Sequence, residues 1–166
     1  MMSYQEKRTI VTMAMTVLIL VVYGIYSFNQ YQAGVLSLDD LRPWAVTILV
    51  FIGISIVVMI AIQIIFHILL SISIAVSKKV QDMDCDDHEI EKSINAEMVE
   101  DEMDKVIGLK SSRVGFICAG VGFIAGLISL LLNYPPVIML NIMFLCMWSS
   151  SLFSGITQLV YYRRGV

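Results

Sequence analysis

Apolar residues are grouped along this chain in four long runs, and a polar, mostly acidic stretch separates the second run from the third. A transmembrane helix needs about 20 mainly apolar residues, because it rises about 1.5 Å per residue through a hydrocarbon core roughly 30 Å thick. The runs therefore predict four membrane spans, at about residues 10–28, 44–70, 114–132 and 137–160. We expect helices because backbone groups in lipid must form their hydrogen bonds within the spanning segment.

The composition agrees with a membrane location. Of the 166 residues, 58% are hydrophobic, and the mean hydropathy of +0.81 is well above that of soluble domains. Lys7 and Arg8 precede the first run, as in a secretory signal, but the run is longer than a signal core. No small-residue cleavage site follows Phe28 closely, so we expect a retained anchor. The three cysteines have no C-x-x-C spacing and predict no disulfide framework.

The distribution of lysine and arginine predicts the orientation. With four spans, both termini and the segment 77–113 lie on one side of the membrane. These parts carry ten of the eleven Lys and Arg residues, whereas the opposite side carries only Arg42. Loops rich in Lys and Arg stay in the cytoplasm, so we expect both termini and the central segment on the cytoplasmic side of a plasma membrane.

The central segment, residues 77–113, holds 11 of the 14 acidic residues. Between Glu89 and Lys105, apolar residues recur at steps of three and four with acids between them, which predicts an amphipathic helix. The apolar run of span 2 continues to Val76, further than one crossing needs, so either the helix is tilted or it projects past the inner leaflet. We expect the amphipathic helix to cover that end. Its charged side is predicted to bind a cytoplasmic or membrane protein through Glu97, Asp101, Glu102, Asp104 and Lys105.

Span 3 carries a face of small and polar residues at steps of 4, 3, 4, 3 and 4. Small residues let helix backbones approach closely in lipid, where van der Waals packing drives association. This face predicts a helix contact, either within one copy or between two copies. Together with the apolar excess of Leu69–Val76, it predicts a homo-oligomer, most simply a dimer. The face comprises Gly115, Ala119, Gly122, Gly126, Ser129 and Asn133.

Polar residues inside the apolar runs are the remaining candidates for function. Span 4 carries four that predict either bundle packing or a polar path: Ser150, Ser151, Ser154 and Gln158. His67 is the one readily titratable side chain within an apolar run. It is either functional or a residue at the inner interface. The spans contain no Asp, Glu, Lys or Arg near mid-membrane, which disfavours an ion-coupled transporter. A serine nucleophile would need His67 within hydrogen-bond reach.

Metal, cofactor and nucleic-acid patterns are weak in this sequence. The acids of Asp82–Asp86 alternate as in a calcium loop, but Asp87 and Ser93 replace the glycine and glutamate that such a loop requires. Cys85 and His88 form at most half of a zinc site. Nucleotide and dinucleotide motifs are missing, and the acidic segment disfavours nucleic acid. We therefore predict no cofactor and no metal.

The stretch Asp101-Glu102-Met103-Asp104-Lys105-Val106-Ile107-Gly108-Leu109-Lys110, running through Arg113 into span 3, resembles a pattern in uncharacterised families of small bacterial membrane proteins. In those families an acidic helix of the form "DE…K.I..K" leads directly into a membrane span. The resemblance implies a bacterial plasma-membrane protein, of a kind often supposed to be an accessory or regulatory component. It implies no catalytic residues.

The sequence therefore predicts an all-α integral membrane protein, with one membrane domain over residues 1–166 and four transmembrane helices. Both termini are expected in the cytoplasm, with an amphipathic helical extension between helices 2 and 3. The predicted function is non-enzymatic, through helix packing and protein–protein contacts in the bilayer, in an accessory, regulatory or scaffold role. The alternative is a small oligomeric channel or transporter whose polar path is lined by span 4.

Overall fold

The structure is a computed structural model that describes residues 4–81 and 101–164. The described stretches form four helices: α1 (Tyr4–Gln32), α2 (Leu41–Gln81), α3 (Glu102–Leu131) and α4 (Pro136–Arg164). Side-chain contacts place the start of α1 beside the later part of α2, and the start of α3 beside the end of α4, so the helices of each pair run in opposite directions.

All four helices are long and apolar enough to cross a membrane. Many of their large apolar side chains point away from the molecule; Val57, Phe116 and Leu131 are 67%, 79% and 82% exposed. In water such a surface would drive aggregation, whereas lipid covers it without cost. The fold is therefore that of a multi-pass helical membrane protein, as the apolar runs predicted.

The helices begin at residues that satisfy their first backbone N–H groups. The Asp40 carboxylate accepts a hydrogen bond from the backbone N–H of Arg42, and Pro43 in the next position has no N–H to satisfy. Asp101 caps α3 in the same way and forms a capping box with Asp104. Pro136 is the first residue of α4, a position where a proline has no backbone N–H to satisfy.

The helices extend beyond the predicted spans, because a helix continues through its polar flanks as long as its backbone hydrogen bonds do. The largest difference is in α2, which runs unbroken for 41 residues. At about 1.5 Å per residue this helix is roughly 60 Å long, twice the thickness of a hydrocarbon core. The helix is therefore longer than one crossing needs, as the apolar run predicted.

The predicted amphipathic helix from Glu89 to Lys105 is not a single helix. Asp101 has an extended backbone, with φ −73° and ψ 162°, and α3 starts at the next residue. The cause is the capping box, which terminates any preceding helix by using the Asp101 side chain and backbone to start a new one. Glu102 and the residues after it therefore belong to span 3. Glu97 and the rest of residues 82–100 lie outside the described residues.

The central helix of the bundle is α4. It packs along nearly the whole of α3, and its opposite side packs against α1. Helix α2 is the least packed, because it touches α1 and α4 over much smaller areas. The short connections at one end are held by an apolar cluster of Leu36, Trp44 and Val137, in which the Trp44 indole N–H donates to the Ser37 carbonyl.

Candidate functional site

The predicted small-residue face of α3 lies against α4 of the same chain. A methyl group on Gly122 would stand 2.1 Å from Cβ of Cys146, and one on Gly115 would stand 3.2 Å from the Ser150 carbonyl oxygen. Gly126 approaches α4 at Met139 and Met143 in the same manner. The two helices touch at distances that only glycine allows, so this face packs within one copy.

The remaining members of the predicted face differ in their environment. Ser129 is buried and its hydroxyl donates to the Gly126 carbonyl, while Ala119 is half-buried. Asn133 does not belong to the face. It is exposed, and with φ 60° it takes the left-handed conformation that ends a helix, a conformation that asparagine tolerates better than most residues. The packing face therefore ends at Ser129.

A polar cavity of about 270 Å³ lies where α1, α2 and α4 meet, near the end of the molecule that holds the start of α1. Three of the predicted span 4 residues, Ser151, Ser154 and Gln158, line it on one side. Ser150 does not, because its hydroxyl donates to the Met147 carbonyl and its own carbonyl faces α3. The facing residues on α1 and α2 are Gln5, Arg8, Thr9, Thr12, Met13 and Gln63.

Much of the hydrogen-bonding capacity in this cavity is unused. Thr9 and Thr12 donate their hydroxyl protons to carbonyls one turn earlier in α1. By contrast, within residues 4–81 and 101–164 no hydrogen-bond partner is found for five lining side chains. The polar atoms of these side chains are not among the buried ones without a partner, so water or a polar ligand in the cavity can reach them. They are Gln5, Gln63, Ser151, Ser154 and Gln158.

His67 lies outside the cavity and level with the first residue of α1. The Tyr4 hydroxyl and Nε2 of His67 form a hydrogen bond of 2.5 Å, and the two rings meet edge to face. Tyr4 precedes the apolar run at Ile10 by six residues, or roughly 9 Å along the helix. This position favours the interfacial interpretation of His67, because a tyrosine and a histidine there can both reach headgroups.

A cluster of aromatic rings fills the interior beyond the cavity. Tyr23 is only 2% exposed, and its hydroxyl donates to Oδ1 of Asn141 at 2.6 Å. The Tyr23 ring packs against Phe51 and Phe144, with centroids 5.2 and 4.3 Å away. This pairing cannot be predicted from the sequence, because it depends on the relative register of α1 and α4.

Part of the predicted partner-binding surface is engaged within the chain. One Asp104 oxygen accepts the Tyr162 hydroxyl at 2.8 Å and the other accepts the Asp101 N–H. Lys105 pairs with Glu102 three residues earlier rather than with Asp101, at an exposed position where such a pair adds little. The acids at the start of α3 therefore first serve to begin that helix and to join it to α4.

Comparisons of the chain with protein-family models, with curated proteins and with solved structures found no match. The resemblance of the Asp101–Arg113 stretch to uncharacterised bacterial membrane proteins therefore stays a prediction. The calcium-like acids from Asp82 and the Cys85–His88 pair lie outside the described residues.

Proposed function

We propose that this protein is a non-enzymatic membrane component that acts through protein–protein contacts, and that the C-terminal part of α2 provides the contact surface. The observation that supports the proposal is the length of α2. Because the Tyr4–His67 hydrogen bond ties His67 to the start of α1, the residues after His67 extend past the start of α1. The extension, from Ile68 to Gln81, rises roughly 20 Å.

The extension exposes an apolar stripe. Ile68, Leu69, Ile72 and Val76 are between 54% and 61% exposed. Apolar side chains at the level of the hydrocarbon core are covered by lipid, but side chains beyond the headgroups face water unless a protein covers them. A tilt of up to about 40° does not shorten a helix of roughly 60 Å to the thickness of the core. We propose that a protein partner covers this stripe.

A second copy of the chain is the partner that fits best. Ile65, Ile68, Ile72 and Ala75 are spaced by 3, 4 and 3 residues, the a/d pattern with which two parallel helices pair. A twofold axis along the membrane normal would place two α2 extensions side by side in that orientation. The dimer proposed here uses α2 and not the glycine face of α3, which is occupied by α4.

The experiment is the mass of the protein in lipid nanodiscs by native mass spectrometry, with Ile72→Glu as the test and Ser73→Glu as the control. Ser73 is exposed and lies in the same turn, so both variants add the same charge at the same height. It lies roughly 85° around the helix from the centre of the stripe. Two symmetry-related isoleucines each contribute about 1.5 kcal/mol or more when buried, so Ile72→Glu should weaken a dimer by a factor on the order of 100. Ser73→Glu should leave it intact. Equal masses for both variants and the unaltered protein would remove the stripe as the contact surface.

The proposed function includes an orientation with both termini and residues 82–100 in the cytoplasm. Its support is the excess of ten Lys and Arg residues at that end against Arg42 at the other. The test is a set of fusions to a reporter enzyme that is active only in the cytoplasm, placed after Val166, within residues 82–100 and in the loop at Gly34. Activity of the first two fusions and inactivity of the third is expected; the reverse pattern would invert the topology.

An oligomeric channel or transporter is the second candidate, favoured by the polar cavity that Ser151, Ser154 and Gln158 line. The aromatic cluster around Tyr23 disfavours a channel, because it occupies the interior between that cavity and the other end of the bundle. A water-soluble thiol reagent separates the two functions, after Cys85, Cys118 and Cys146 are replaced. Ser154→Cys should react from the cytoplasmic side only in the docking protein, and from both sides in a channel.

A further inference from the structure

The polar cavity between α1, α2 and α4 is lined by side chains that can both donate and accept hydrogen bonds. It contains three carboxamides, those of Gln5, Gln63 and Gln158, and the hydroxyls of Ser151 and Ser154. None of these five side chains has a hydrogen-bond partner among the described residues. Gln5 is only 7% exposed, and it lines both this cavity and the neighbouring hollow. The docking role does not explain this concentration of unpaired polar groups.

The charged residues around the cavity are already engaged. Arg8 is the one charged side chain among the described lining residues, and it has an interaction of its own. Glu6, two residues earlier, carries the opposite charge and is likewise engaged. In the neighbouring hollow, both Asp104 oxygens accept hydrogen bonds, and Lys105 pairs with Glu102. The cavity therefore offers a ligand hydrogen bonds rather than a charge.

The depth of the cavity also favours an uncharged ligand. Gln158 lies two residues before the apolar run of α4 ends at Val160, which places it close to the headgroups. Ser151 lies seven residues, or roughly 10 Å, further along the helix towards the middle of the membrane. A charged ligand at that depth costs free energy unless an opposite charge pairs with it, and none of the described lining residues has a charge to spare. A neutral polar ligand avoids this cost.

The pattern of donors and acceptors points to neighbouring hydroxyl groups. A carboxamide holds an acceptor oxygen and an N–H donor side by side, and each hydroxyl of a polyol can both donate and accept. Two adjacent hydroxyls can therefore pair with one carboxamide, a match that an ammonium ion, which only donates, does not provide. The cavity volume of about 270 Å³ is about nine times the 30 Å³ that a water molecule occupies, which is enough for a glycerol unit or one sugar ring.

We infer that this cavity binds an uncharged polyol, whose hydroxyls pair with the three carboxamides and with the Ser154 hydroxyl. The polyol is either the headgroup of a glycolipid, which enters from the leaflet at this end of the molecule, or a soluble sugar, which enters from the adjoining water. Both sources present the same hydroxyls to the same side chains. This inference is independent of the proposed dimer, since the cavity and the α2 stripe share no residue.

The experiment measures binding of two probes to the full chain, purified in a detergent that has no sugar headgroup. The first probe is monoglucosyl diacylglycerol, followed as retained lipid by native mass spectrometry and compared with phosphatidylcholine that carries the same acyl chains. The second is glucose, followed by the shift in melting temperature. The unaltered protein should retain the glycolipid about tenfold better than phosphatidylcholine, or should respond to glucose. Binding of only one probe identifies the source of the polyol.

Gln158→Leu removes one carboxamide and keeps a similar volume. It should weaken binding of the probe about tenfold or more, because two hydrogen bonds are lost. The matched control is Gln32→Leu, which changes an exposed glutamine at the other end of α1 and should alter binding less than twofold. General effects of a sugar on stability act on both variants alike, so the difference between them reports the site.

A second variant keeps the test valid should Gln158→Leu unfold. Ser154→Ala removes a single hydroxyl and should weaken binding roughly threefold to tenfold, whereas the same change at exposed Ser73 should have no effect. Failure of both probes to bind, or equal retention of the glycolipid and phosphatidylcholine without a response to glucose, would overturn the inference and leave the cavity to water. Equal losses in the Gln158 and Gln32 variants would also overturn it.

Discussion

Replacing Gly122 by alanine tests the closest helix contact in the molecule. The added methyl would lie 2.1 Å from Cβ and 2.7 Å from Sγ of Cys146, well inside van der Waals distance. Cβ of Cys146 is anchored to the backbone and cannot turn away, so α3 and α4 must separate locally by more than 1 Å, an order-of-magnitude estimate from ordinary contacts of about 3.5–4.0 Å. Overpacking of this kind costs about 1–3 kcal/mol, which for a chain of this size lowers the melting temperature by roughly 2–12 °C.

The assay is thermal unfolding in a mild detergent, with Gly120→Ala as the matched control. Gly120 lies two residues away on the same helix, is exposed, and has nothing within 4 Å of an added methyl. Its alanine variant should melt at or slightly above the temperature of the unaltered protein, because alanine favours a helix over glycine. Cys146→Gly should partly restore the Gly122→Ala variant by making room for the methyl. Equal melting temperatures for the Gly120 and Gly122 variants would refute the close approach of the two helices.

Three further changes test other contacts by the same unfolding measurement. Tyr23→Phe should cost on the order of 1 kcal/mol, since it leaves Oδ1 of Asn141 without its donor, and the loss should shrink when Asn141 is replaced by leucine first. Asp101→Ala should cost about 0.5–2 kcal/mol and speed amide hydrogen exchange in the first turn of α3; unchanged exchange there would contradict the cap. Gly155→Ala should cost less than the Gly122 substitution, because the added methyl meets the flexible end of Met13 rather than a Cβ atom. An equal or larger loss would mean that Met13 has no room to move.

Most predictions that depend on the properties of one segment agree with the structure. Contacts between two segments could be predicted only in part. The four spans and the proline start of α4 follow from local properties, namely apolar length and a missing N–H. The excess length of α2 was predicted for the same reason. The helix predicted through Asp101 is wrong because an amphipathic spacing describes which face a residue occupies and not whether the helix continues. The capping box decides whether the helix continues, and Asp101 and Asp104 form such a box.

In the candidate site, too, the polar residues could be predicted from one segment, but their contacts with other helices could not. The hydroxyls and amide of α4 were recognisable as polar groups inside an apolar run. Ser150 faces α3 and does not line the cavity, whereas Ser154 and Gln158 line it together with Gln63 and the start of α1. One turn of a helix contains both kinds of position. The rotation and register of three helices determine which residues share a cavity, and these come from packing across the whole bundle.

By itself the sequence determined that this chain forms membrane-spanning helices, because apolar length and backbone hydrogen bonding act within each segment. It also determined that α3 would present a close-packing face, since small side chains at helical spacing leave a groove in any context. The tertiary structure decided that α4 fills this groove, that Tyr23 meets Asn141, and that polar side chains of α1, α2 and α4 line one cavity. The physical reason is that each of these contacts joins residues far apart along the chain, whose distance depends on how the helices pack together.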